Sequence, residues 1–186
     1  MVSGRLTLSV LDSSASAAGV IGFGVVALWL QREKVLQKSI LIPIDANQQL
    51  FWSDDGGHRR RRCDMKLVTL EKSALSFTFI EVKWRRNTTA LTTFTQDMAT
   101  QDMATQVNAT AQEFATIYQS EIRIDAPLRR AYLNNIIRFY AQRARRYHLI
   151  SEATEQGFSE QLTAMENKIT NAHIHCQGYI VVPHCE

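Results

Sequence analysis

Three residues are of the types, and at the spacing, to do chemistry together: Asp64, and Glu81 with Lys83 in Glu81-Val82-Lys83. Asp64 opens the β-type run Cys63 to Leu70, and Glu81 and Lys83 fall near the end of a second, Leu75 to Trp84. Only Glu71-Lys72-Ser73-Ala74 separates the runs, which reads as an antiparallel hairpin with a four-residue loop. Residues two apart in a strand share a face, so Glu81 and Lys83 point the same way. If Leu70 and Leu75 close the loop, cross-strand partners have numbers adding to 145, which sets Asp64 opposite Glu81. Their Cβ atoms would then lie ~4.5–5.5 Å apart, where two like charges repel. A chain keeps such a pair most readily when a cation sits between them. Oxygen ligands of this kind suit Mg²⁺ (or Mn²⁺), which keeps several waters and accepts a substrate phosphate oxygen. The chemistry allowed is metal-assisted hydrolysis of a phosphodiester, with Lys83 orienting or deprotonating the attacking water or contacting the scissile phosphate. Without the cation, the same residues are solvated charges on a surface hairpin.

The elements that must position these groups are legible on either side. Leu6 to Leu11 reads as a short strand, and Asp12-Ser13-Ser14 is an N-cap cluster for a helix running to about Leu36. Ser39 to Ile44 is a strand closed by Pro43, and Asp54-Asp55-Gly56-Gly57 is a turn. After the hairpin, helix is expected from about Asp97 to Glu121. Here Thr95 to Ala99 is repeated at once as Thr100 to Ala104. Five helical residues rotate the chain by ~500°, so the copies cannot share one face, and the repeat is expected in a loop or frayed first turn. Ile124 to Tyr147 carries Leu128, Leu133, Ile136, Ile137 and Tyr140 at helical spacing behind Asp125 and Pro127. Gly157 punctuates a helix around Ser159 to Ile169, and Gly178 to Pro183 closes the chain as a strand. The pattern implies one α/β domain over 1–186: a central mixed β-sheet flanked by helices, with a core over about 6–120 and a helical addition and closing strand over about 121–186.

Composition bounds the reading. With 45% apolar and 21% charged residues the chain is globular, which excludes disorder throughout. The net charge of +3 hides its distribution: residues 59–86 carry +6 and 121–148 carry +5, between acidic flanks. In the first block Arg59, Arg60, Arg61, Arg62, Arg85 and Arg86 bracket the acidic pair. In the second, Arg138 and Arg145 are seven apart and share a helix face, with Tyr140 and Tyr147 interleaved. Such residues suit the phosphate backbone of DNA, binding without regard to sequence, and they suit equally a solvated Arg-rich helix whose tyrosines belong to the core. Three cysteines at irregular spacing argue against a disulfide framework and fit a reducing, cytoplasmic setting. Ala15 to Leu30 is free of charge, but at ~1.5 Å per residue it falls short of a ~30 Å hydrocarbon core. A buried helix is expected there, without a membrane; a signal peptide or signal anchor is the competing reading. No Gly-x-x-x-x-Gly-Lys loop is present for a nucleotide, and the His and Cys residues near 173–185 lack paired zinc-ligand spacing.

The order helix, strand, strand with Asp64, strand with Glu81-Val82-Lys83, helix resembles the PD-(D/E)xK nuclease superfamily over about residues 13–120. The resemblance implies metal binding by Asp64 and Glu81 and service of the attacking water by Lys83. Some members use a glutamine on the helix after the lysine strand, a role that would fall on Gln106 before Gln101 or Gln96. Many place an acid on the first helix, whereas this chain has no Asp or Glu there before Glu33. Ser3-Gly4-Arg5-Leu6, Ile42-Pro43-Ile44-Asp45, Arg62-Cys63-Asp64, Glu81-Val82-Lys83-Trp84-Arg85 and Phe139-Tyr140 through Arg146-Tyr147 are similar to the nuclease-like end of large ATPase subunits in bacterial phosphorothioation-dependent restriction and defence systems. That likeness implies DNA as substrate, and an ATPase or helicase subunit or a second copy of the chain as partner.

Overall fold

A computed structural model describes residues 14–44, 46–47, 63–72, 74–84, 93–118, 124–167 and 173–181. Helix α1 (Ser14–Arg32) and a 3-10 turn (Val35–Gln37) lead into β1 (Ser39–Pro43), β2 (Met65–Leu70) and β3 (Leu75–Trp84). Helices α2 (Thr93–Tyr118), α3 (Ala126–Arg146) and α4 (Glu152–Asn167) follow, and β4 (His173–Val181) ends the described chain. The four strands form one mixed sheet in the order β1-β2-β3-β4. β1, β2 and β3 are antiparallel neighbours, while β4 runs parallel to β3. A parallel partner requires a crossover, and α2, α3 and α4 lie in the intervening chain.

Strand alternation divides the apolar residues between two faces. Met65, Leu67 and Ile80 are buried with Val26 and Leu30 of α1 and with Leu36. Ile40, Ile42, Val68, Phe77 and Phe79 pack instead with Val107, Ala111 and Phe114 of α2, Leu133 and Ile137 of α3, and Phe158 and Leu162 of α4. Phe114 is the hub of this second face, its ring centroid 5.0 Å from that of Phe77 and 5.2 Å from that of Phe79. Asp64, Glu81 and Lys83 alternate in phase with Val68, Phe77 and Phe79, which places them on the α2 face.

The hairpin has the expected register, Leu70 closing on Leu75 and Met65 on Ile80. Other boundaries differ. α1 stops at Arg32, because Lys34 takes a left-handed φ of 59° and the chain tightens into the 3-10 turn before Leu36. α1 is buried on one side only: Ile21, Val25, Leu28 and Trp29 are exposed opposite Val26 and Leu30. No described helix is long and apolar enough to cross a membrane. The five-residue repeat lies inside α2, not in a loop, and Met103 of the second copy is buried. Leu128 is 74% exposed and outside the core that its spacing suggested. α4 begins at Glu152 and runs through Gly157, where a Cβ would stand 2.6 Å from Leu70 Cδ2, so this glycine permits close helix–sheet approach. β4 starts at His173, earlier than Gly178, because backbone pairing with Ser76 onward needs no apolar side chains. The strand read at Leu6 to Leu11, the cap residues Asp12 and Ser13, and the turn at 54–57 lie outside the described residues.

Candidate active site

Asp64 precedes β2 by one residue and its carbonyl accepts a hydrogen bond from Ile44 N at 3.0 Å, so the β1–β2 pairing fixes its backbone. Continuing the ladder one step beyond Met65 and Ile80 sets Asp64 across from Glu81. The side chain crosses as well: Val82 N donates to Asp64 Oδ2 at 2.7 Å. Glu81 is 2% exposed, and its Oε1 lies 2.6 Å from Lys83 Nζ. Its Oε2 is buried with no hydrogen-bond partner among the described residues. Burial, then the charge of Asp64, pushes the Glu81 carboxyl up to about 7, while the Lys83 contact acts the other way.

Helix α2 closes the site from above. Cys63 N donates to Thr110 Oγ1 at 3.1 Å, and the same hydroxyl donates to Gln106 O at 2.8 Å. This staple joins the helix to the start of β2. Thr110, Gln106 and Asp102 recur at four-residue intervals and so share one helix face. Gln106 is half-buried, with a buried Oε1, whereas Gln101 is exposed; the side chain of Gln96 is not described. Asp102 Oδ2 lies 3.7 Å from Lys83 Nζ. Asp102 escaped the sequence reading because it belongs to the repeat and meets Lys83 only where the helix docks on the sheet. Cys63 is fully buried; burial above all, with Glu81 and Asp64 adding to it, pushes its thiol up to about 12, so it is no nucleophile.

Neither a family model, a curated protein nor a solved structure matches the chain. The site therefore rests on its own geometry. Among the described residues, no group of three or more His, Cys, Asp and Glu is gathered into a metal cage. Mg²⁺ needs no such cage, since one or two carboxylates suffice when water and substrate phosphate complete the octahedron. Asp64 and Glu81 fit that requirement, and the buried Oε2 of Glu81 is the atom that a cation would satisfy. An acid on α1 would not serve, because the described packing of α1 is against the other face of the sheet.

Of the basic residues, Arg59, Arg60, Arg61, Arg62, Arg85 and Arg86 lie outside the described residues, as does Asp45. Arg138 and Arg145 are both engaged by α4. Arg138 Nη2 is 3.4 Å from Thr163 Oγ1, and Arg145 pairs with Glu155 at 3.0 Å and Glu152 at 3.3 Å. Tyr140 packs against the core with its hydroxyl accepting from Asn47 Nδ2 at 3.2 Å, while Tyr147 is exposed beneath the Arg143 guanidinium.

Proposed function

We propose that the chain is a Mg²⁺-dependent (or Mn²⁺-dependent) endodeoxyribonuclease of the PD-(D/E)xK kind, or the nuclease-like module of a bacterial restriction or defence assembly, working in the cytoplasm. The observation that carries this reading is the in-register opposition of Asp64 and Glu81, with one buried Glu81 oxygen left for a cation. The element order supports it: an antiparallel β1-β2-β3 sheet presents the acids, and a helix on the same face follows the lysine strand.

Asp64 and Glu81 would hold the ion, which when bound would neutralise charge gathering on the phosphate and make the attacking water more acidic. Lys83, 26% exposed at the side chain, is open enough to reach that water or a non-bridging phosphate oxygen. As a strongly hydrated point charge it orients either one without the planar demands of a guanidinium. Gln106, one turn from Asp102 on the same face, would hydrogen-bond the substrate or the water. Arg59, Arg60, Arg61, Arg62, Arg85 and Arg86 flank β2 and β3 in the chain and would lead the DNA backbone to the ion. An ATPase subunit or a second copy of the chain would complete the assembly.

Nicking of supercoiled plasmid with Mg²⁺, compared between the wild type and Lys83→Ala, tests the reading. Cleavage by the wild type and a loss of at least ~10²-fold in the variant are expected. Equal cleavage by both would assign the activity elsewhere. No cleavage by either would favour a catalytically silent DNA-binding or docking module, a reading supported by the lack of an Asp or Glu on the first helix before Glu33.

A further inference from the structure

We infer that Asp102 is a positioning residue that receives the Lys83 ammonium when a divalent ion takes its place on Glu81. The inference rests on the metal reading of Asp64 and Glu81. Lys83 Nζ stands 2.6 Å from Glu81 Oε1, on the carboxylate the ion would need. Ammonium and divalent ion are both positive and cannot share that carboxylate at close range without repulsion. An ion at Oε2 would repel the ammonium at Oε1 and so favours movement of Lys83 towards Asp102 Oδ2, which stands 3.7 Å from it. A displacement of about 1 Å brings that contact to hydrogen-bond length, which side-chain rotation supplies without moving either backbone.

The two acids are suited to opposite ends of this transfer. Glu81 is nearly sealed, so its carboxylate is costly to leave without a positive charge, and an ion can take over from the ammonium there. Asp102 is 49% exposed, so it can give up or accept an ammonium at little cost. Its backbone is nonetheless fixed, because Met103 is buried and Thr110, two turns on, is bonded to Cys63 N. The formal charges also balance. With a divalent ion bound, three carboxylates face the ion and one ammonium; without Asp102 the cluster would carry a net positive charge and expel one of its cations.

Calorimetric titration of the full chain with Mn²⁺ tests this in the wild type, Asp102→Asn, Lys83→Met and the double variant, with Glu81→Gln as control. At about 0.5 M salt, where charges more than ~5 Å apart in solvent are largely screened, Asp102→Asn is expected to weaken binding about threefold to fivefold. Lys83→Met removes the competitor and is expected to tighten binding at least threefold. In that background the Asp102→Asn effect should fall below about twofold. Asp102→Glu should restore wild-type affinity. If Asp102→Asn costs the same with and without Lys83, Asp102 acts on the ion by its own charge and the inference fails while the metal site stands. If Glu81→Gln binds Mn²⁺ as the wild type does, the metal site fails and the inference falls with it.

Discussion

One face of the sheet buries a glutamate and a lysine, and their surroundings differ. Glu81 sits at one end among Asp64, Lys83 and Asp102, and Lys83 reaches both it and Asp102. Lys66 sits one row further in, with Ile42 and Phe79 beside it across the ladder, fully buried. Its Nζ has no hydrogen-bond partner among the described residues and lies 4.5 Å from the centroid of Phe114 and 5.6 Å from that of Phe77. Burial lowers the Lys66 amine from 10.5 to about 7. A buried charge with an opposite charge beside it is held in an ion pair, as Glu81 is by Lys83. A buried charge against aromatic rings alone gains a cation–π contact that offsets only part of its desolvation, so it loses its proton instead.

That difference sets the largest expected effect. Between pH 7 and about 9, below the range where the raised Cys63 thiol acts in the opposite sense, the unfolded chain holds the Lys66 proton and the folded chain does not, so wild-type stability should rise with pH. At about 1.4 kcal/mol per pK unit the ceiling on this cost is roughly 5 kcal/mol, reached below pH 7. Lys66→Met, close in volume and able to lie on Phe114, should recover several kcal/mol at pH 7 in denaturant unfolding and flatten the pH dependence. An unchanged slope in the variant would mean that Lys66 is charged and paired, and the contrast with Glu81 would collapse.

A smaller effect separates the two basic blocks. Arg145 is committed to Glu152 and Glu155, and Arg138 to Thr163, so replacing both by alanine should leave the slope of log affinity for DNA against log salt almost unchanged. Replacing Arg59, Arg60, Arg61 and Arg62 should lower that slope by roughly 0.9 for each phosphate that is no longer neutralised. The reverse pattern would move the DNA path to α3.

The part of the architecture that chemistry depends on was legible because it is local. A four-residue loop, the closing pair Leu70 and Leu75, and strict alternation through Phe77, Phe79, Glu81 and Lys83 leave one register, since a slip of one residue would exchange the two faces and put Thr78 where Phe79 packs. What was misread depends on tertiary contact. Gly157 looks like a helix stop until Leu70 is seen against it. The repeat looks incompatible with a packed helix until Met103 is seen buried within α2. Asp102 becomes a neighbour of Lys83 only through the docking of α2, held by Thr110 and Phe114, which no spacing within the helix reveals. Lys66 drew no notice, because a single lysine in a strand is ordinary until its surroundings are known.

The claim that matters most is that the opposed carboxylates are a cation site, and Mg²⁺ calorimetry at pH 6 and pH 8 addresses it directly. With its carboxyl pushed up to about 7, Glu81 is mostly protonated at pH 6 and mostly ionised at pH 8. Wild-type protein should therefore bind more tightly at pH 8 and release close to one proton per ion at pH 6, but almost none at pH 8. Glu81→Gln should lose both the tight binding and the proton release. Undiminished binding with the same proton release in Glu81→Gln would contradict the assignment.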